Sequence, residues 1–230
     1  MNEATATTAD ERPLRPHDLL WFVDAAAITA VEPLPAWASS DWLRRAPLVV
    51  RREHTGPERI AVGLRGTTRS ERFAAYLTPD AVHRCVSPED LARRQVWREG
   101  NGYGECDALV TLAALAPLLD ATGLVWGPTG SVGFALASGL CVLRRDSDLD
   151  LVLRAPERLS SEQRAVLARL GAGALCRLDV QIDTGHGAFA FAEYIAGQRR
   201  ILLRTNSGPL LTEDPWLIDA APRPEAAPRR

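Results

Sequence analysis

The sequence predicts an α/β (α+β) protein, with a mixed sheet covered by helices in its second half and a smaller α+β domain in its first. Three observations predict it. From residue 107 onward, strand-like and helix-like hydrophobic periods alternate along the chain. A glycine-rich turn, GPTGSVG (127–133), lies between a short apolar strand and a helix. One helix later a strand opens on Asp148-Leu149-Asp150-Leu151, whose period of two puts both aspartates on one face and the leucines on the other.

The elements follow in order. Residues 1–12 and 219–230 are rich in Ala, Pro and charge and are expected to be disordered. The apolar run within His17–Ala27 fits a short strand or a helix, which periodicity leaves open. PLVVRR (47–52) and RIAVGLRG (59–66) read as two strands around a Gly-Pro turn. Thr78-Pro79-Asp80 and Ser87-Pro88-Glu89 each place a capping hydroxyl before a proline, predicting two short helices. The polar, glycine-rich REGNGYG (98–104) divides an accessory domain, 13–98, from a catalytic domain, 99–218. Residues 107–120 suit a buried helix in which Pro117 marks a kink or the last turn. Then come a strand at 124–126, a helix at 132–138 closed by Gly139, and a strand at 149–153. Ser160 and Gln163 form a capping box for a helix through Leu170, and strands follow at 178–182 and 200–204.

Composition removes several classes of function. The chain of 230 residues has a formal net charge of −2, which gives no general attraction to nucleic acid or an anionic membrane. No apolar run is long enough to span a bilayer, and the polar N-terminus has no signal-peptide core, so a cytoplasmic protein is expected. Cys85, Cys106, Cys141 and Cys176 are scattered, which predicts reduced thiols and no structural zinc. All 27 basic side chains are arginine. Without lysine there is no Walker-A loop, protein-kinase site or Schiff base, and any phosphate must be held by arginine, backbone N–H groups or metal.

The glycine turn opens a helix, so its backbone N–H groups and the helix dipole favour phosphate oxygens. Asp148 and Asp150, side by side, repel unless a cation lies between them, and oxygen ligands of this kind suit Mg²⁺ or Mn²⁺. Asp146 precedes the regular alternation. Either signal alone is common; a phosphate turn followed by paired carboxylates describes a triphosphate–Mg²⁺ site, with Gly130 and Ser131 on the phosphates. Gly130 is expected to let the backbone approach the triphosphate, so that Gly130→Val weakens binding at normal stability. Arg51, Arg52, Arg59, Arg65, Arg69 and Arg72 form either a solvated face or a surface for phosphates or an acidic carrier protein. His186 reads as a loop residue, and Trp21, Trp97 and Trp126 as core or pocket wall.

Gly130, Ser131, Asp148 and Asp150 together resemble the polymerase-β-like nucleotidyltransferase superfamily, with a spacer a few residues longer than the common form. The resemblance implies a third carboxylate from a later strand. Asp179 in LDVQID (178–183) is the candidate, sharing its face with Gln181 and Asp183, and the choice between Asp179 and Asp183 stays open. Asp179→Ala is expected to reduce catalysis and the stability gained from Mg²⁺, and Asp183→Ala, nearer the strand's end, to change both little. A wider resemblance, carried by AVGLRG (61–66), GSVGFALASGL (130–140), SDLDL (147–151) and DVQI (179–182), is to the malonate decarboxylase holo-acyl-carrier-protein synthases, or phosphoribosyl-dephospho-CoA transferases. That resemblance implies transfer of the phosphoribosyl-dephospho-CoA group from triphosphoribosyl-dephospho-CoA to a serine of the decarboxylase's acyl-carrier subunit, with release of pyrophosphate. The rivals are the same chemistry on another acceptor and an inactive fold used for binding.

Overall fold

The computed structural model describes residues 12–98 and 106–217. The sequence-predicted boundary at 98–104 lies, apart from its first residue, outside the described residues, as do nearly all of the two terminal segments expected to be disordered.

The first half is a six-stranded sheet: β1 (Leu19–Phe22), β2 (Ile28–Thr29), β3 (Leu48–Val50), β4 (Ile60–Arg65), β5 (Arg72–Leu77) and β6 (Val82–Val86), in the order β2-β5-β4-β3-β1-β6. Every pairing in it is antiparallel. The open run near His17 is therefore strand, because Leu19 and Leu20 pair with both β3 and β6. Thr78-Pro79 makes only a 3-10 turn, Pro79–Ala81, with no side-chain cap, and the chain returns at once as β6. The helix expected there is not formed. Ser87 does cap a helix, α2 (Pro88–Arg94), following α1 (Ser40–Arg45), and Asp90 completes its capping box.

The second half is also a six-stranded sheet, built from β7 (Val125–Pro128), β8 (Leu149–Arg154), β9 (Leu178–Asp183), β10 (Gly187–Ala190), β11 (Ile201–Thr205) and β12 (Gly208–Thr212), in the order β12-β11-β10-β9-β8-β7. Only β8 and β9 run parallel, which makes the sheet mixed. Helices α3 (Asp107–Asp120), α4 (Gly130–Ser138), α5 (Ser161–Arg169) and α6 (Phe191–Ile195) accompany it. Pro117 sits in the last turn of α3, and Gly139 closes α4 with φ +71°. Leu149, Leu151 and Leu153 are fully buried with Leu112, Leu119 and Phe134. None of the four cysteines forms a disulfide. Trp126 is buried against Trp97, and Trp21 is buried too. Among the described residues no helix is long and apolar enough to cross a membrane.

Leu19, Trp21, Ala46, Val86 and Leu91 share the apolar core of the second half. Close approach is needed at Gly127, where a Cβ would stand 2.0 Å from the Pro88 carbonyl oxygen, so α2 lies directly on β7. A buried ion-pair network also joins the halves. Arg52 and Arg154 both donate to Asp183 Oδ2 at 2.8 Å, and Arg154 Nε donates to Glu89 at 2.6 Å. The Gly185 N–H donates to the other Asp183 oxygen at 2.8 Å. These donors hold the Asp183 carboxyl below its ordinary value against the opposing effect of burial. His17, with φ +78°, stands beside this network and opens on the cavity. Dense surroundings, then the charges of Arg154 and Arg52, push its imidazole down to about 4, so it is neutral at pH 7.

Asp183 thus serves the network between the halves rather than the cavity, so its removal acts on stability. Asp183→Ala leaves the buried Arg154 and the half-buried Arg52 without their shared acceptor and should cost about 3–5 kcal/mol, read by denaturant unfolding. The depressed His17 value sets a pH window. Above the unfolded value near 6.5 its contribution to stability is complete. It is lost as pH falls toward 4, because the unfolded chain takes up the proton and the folded chain resists it. Melting temperatures of His17→Gln should fall less than wild type across that interval.

Candidate active site

The parallel register of β8 on β9 aligns Asp150 with Asp179, Val152 with Gln181 and Arg154 with Asp183. These side chains occupy one face of the strand pair, opposite the leucines. At one end Arg154 and Asp183 neutralise each other. At the other, Asp150 and Asp179 are acidic neighbours on strands about 4.8 Å apart. Asp148, two residues upstream, joins them in lining a cavity of about 620 Å³. Sequence reasoning proposed these three carboxylates, and the fold brings all of them to one cavity; Asp183 does not line it.

Gly130 opens α4 with φ +57°, and a Cβ there would stand 1.9 Å from Asp150 Oδ2. The turn is therefore pressed first against the carboxylate, and glycine is required before any ligand arrives. The Thr129 N–H, donating to the Asp150 carbonyl oxygen at 2.8 Å, ties the turn to the strand. The Thr129 side chain makes no capping bond, and the first N–H groups of α4 have no intrahelical partner.

The facing wall comes from the first half. Arg65 and Arg72 are cross-strand partners on β4 and β5, and with Arg51 and Arg69 they line the cavity. Arg65 is buried; it donates to Ser131 Oγ at 2.6 Å and lies over the Phe134 ring. Burial, then Arg72, lowers its value to about 10, partly offset by Asp150, so it remains charged at neutral pH. Arg69 is bonded to Asp148. Of the other arginines singled out, Arg52 serves the structural network and Arg59 stacks on Tyr76 at 4.5 Å. His186 sits exposed in the turn before β10 and does not line the cavity. Gln181, on the face of Asp179, lines it too, and so do His17, Thr129 and Arg177, which had not been singled out.

The donor set fits a hard divalent cation. Burial, then Asp179 and Asp148, raises the Asp150 carboxyl above its ordinary value, a like-charge cost that a cation would relieve. Among the described residues no three His, Cys, Asp or Glu side chains stand close enough together to hold a metal ion by themselves. Mg²⁺ needs no such set, since it is commonly held by one or two carboxylates together with substrate phosphates and water. Gly130→Ala should displace Asp150 and strain a left-handed backbone at a cost of about 1–3 kcal/mol. Melting temperature and phosphate binding should fall together, unlike the binding defect at normal stability expected from the sequence.

Residues 15–88 match the phosphoribosyl-dephospho-CoA transferase MdcG N-terminal domain, and residues 95–215 match the MdcG C-terminal domain. A phosphoribosyl-dephospho-CoA transferase of Pseudomonas putida (strain GB-1) is 42% identical over 88% of this chain and 95% of its own length. Its counterpart in Pseudomonas syringae pv. tomato is 41% identical over 87% and 92%, and that of Azotobacter vinelandii 40% over 90% and 96%. No solved structure gives a significant match. With both halves matched in order and relatives covered nearly end to end, the chain belongs to the phosphoribosyl-dephospho-CoA transferase family.

Proposed function

We propose that this transferase moves the phosphoribosyl-dephospho-CoA group from triphosphoribosyl-dephospho-CoA to a serine of the acyl-carrier subunit of malonate decarboxylase, releasing pyrophosphate. The observation that carries the chemistry is the register pairing of Asp150 with Asp179, beside Asp148, beneath a wall of arginines. The relatives' names support transfer of the phosphoribosyl-dephospho-CoA group, and the carrier serine comes from the sequence resemblance alone.

Asp148, Asp150 and Asp179 would hold Mg²⁺, or Mn²⁺ in its place. When bound, the metal supplies Lewis acidity toward the phosphates and lowers the pKa of the attacking hydroxyl. Gly130 keeps the α4 turn against Asp150, so that the phosphate-facing N–H groups and the carboxylates hold a fixed spacing. The serine oxygen bonds to the α-phosphorus as the bond from that phosphorus to the bridging oxygen breaks, and pyrophosphate leaves. Asp179 completes the metal site or accepts the serine proton. The neutral His17 and the apolar lining from Leu19, Leu64 and Phe134 adjoin the charged end of the cavity.

The test supplies the full chain with Mg²⁺, triphosphoribosyl-dephospho-CoA and apo-carrier, and follows carrier mass and pyrophosphate. Wild type should add one phosphoribosyl-dephospho-CoA group per carrier. Asp150→Asn and Asp179→Asn should lose transfer by more than about tenfold, or 1.4 kcal/mol in the barrier. Unchanged carrier mass with wild type sinks the acceptor assignment, and near-normal rates in both variants sink the carboxylate roles.

A further inference from the structure

Arg65 and Arg72 face each other across β4 and β5 and both line the cavity. Like charges at directly opposed positions destabilise a sheet. A protein that keeps them there either neutralises them with its own carboxylates or leaves them for an anion. Of the four first-half arginines on this wall, Arg69 forms a salt bridge with Asp148 and Arg51 one with Glu53 at 2.9 Å, whereas among the described residues neither Arg65 nor Arg72 has a carboxylate in salt-bridge contact. Arg65 instead donates to a neutral hydroxyl, Ser131 Oγ, at 2.6 Å. Its Nε is buried without a hydrogen-bond partner, in a residue only 9% exposed. A buried N–H of a guanidinium left unsatisfied is costly, and the cost is removed by an acceptor that enters the cavity.

The partners of Arg65 also locate the anion. Ser131 is the second residue of α4, so its bond aims Arg65 at the helix end where the backbone N–H groups converge. Ser131 thereby acts as a positioning residue for the guanidinium. Asp150 lies within electrostatic reach of Arg65 and Arg72 alike, so the pair stands beside the carboxylates rather than on a remote surface. Guanidinium forks match phosphate oxygens, and two adjacent forks match consecutive phosphates of a polyphosphate chain.

We infer that Arg65 and Arg72 of the first-half sheet form the clamp for the polyphosphate end of the substrate, with Ser131 orienting Arg65. This rests on the transferase reading above and extends it: the first half contributes directly to the reaction site, and the leaving pyrophosphate departs from a pair of arginines.

Calorimetric binding of inorganic tripolyphosphate to the full chain in EDTA tests the clamp without metal or carrier. Wild type should bind. Arg72→Gln, at an exposed position that should fold normally, and Arg65→Lys, which loses the fork, should each weaken binding at least tenfold. Arg45→Gln on α1, outside the cavity, should bind as wild type does. No wild-type binding, or wild-type affinity in either cavity variant, overturns the clamp. The two readings separate cleanly. Transfer to the carrier with tripolyphosphate affinity independent of Arg65 and Arg72 removes the clamp and leaves the function. Arginine-dependent binding without carrier modification leaves the clamp and removes the acceptor.

Discussion

The parallel register of β8 on β9 is the constraint on which the rest of the structure depends. It sets Asp150 against Asp179 and Arg154 against Asp183 on the same face. A slip of one residue would turn that face into the leucine layer and bury the carboxylates in the core. The register is enforced from the other side, where Leu149, Leu151, Leu153 and Ile182 are completely buried. Hydrophobic packing on one face thus determines electrostatics on the other. The cost of crowding two carboxylates is carried by apolar burial that has no part in the chemistry.

The two ends of that face are treated differently by the first half of the chain. Arg52 reaches the Arg154–Asp183 end and completes a network whose shared acceptor is saturated by cations. Arg65, Arg69 and Arg72 reach the Asp150–Asp179 end and leave it open, with only Asp148 bonded. One end therefore fastens the halves together, and the other keeps charge available for a ligand. The close contact of α2 with Gly127 fixes the distance between the two walls.

Much of the site was legible because it is local. Alternation placed Asp148 and Asp150 on one face, the glycine turn declared itself by composition, and Asp179 was singled out through the family resemblance. What was missed depends on the docking of the two sheets. RFAAYL (72–77) has too many alanines to read as a strand from its own residues, and its pairing with β4 supplies the order it lacks. Had it been read as the return of a hairpin from Arg65, the opposition of Arg65 and Arg72 would have followed. Thr78-Pro79 carried a capping signal that tertiary pairing overrode, whereas Ser87-Pro88 carried the same signal together with Asp90, and formed its helix. Asp183 shares chemistry and strand face with Asp179, and what separates their fates is the cations brought to it, Arg154 by the register of β8 and Arg52 from 131 residues away in sequence.

The absence of lysine gains a physical meaning at Arg65. Burial and a neighbouring cation bring this guanidinium down to about 10, a value that still leaves it fully charged in neutral solution. An ammonium begins near 10.4, and the same surroundings would carry it much closer to neutrality. It would also offer a point charge in place of a fork that can hold Ser131 and an oxyanion together. An arginine-only composition therefore costs this site nothing. At a position buried against Phe134, beside Arg72, and required to remain cationic, arginine is the side chain that physical chemistry selects, whatever set the composition elsewhere in the chain.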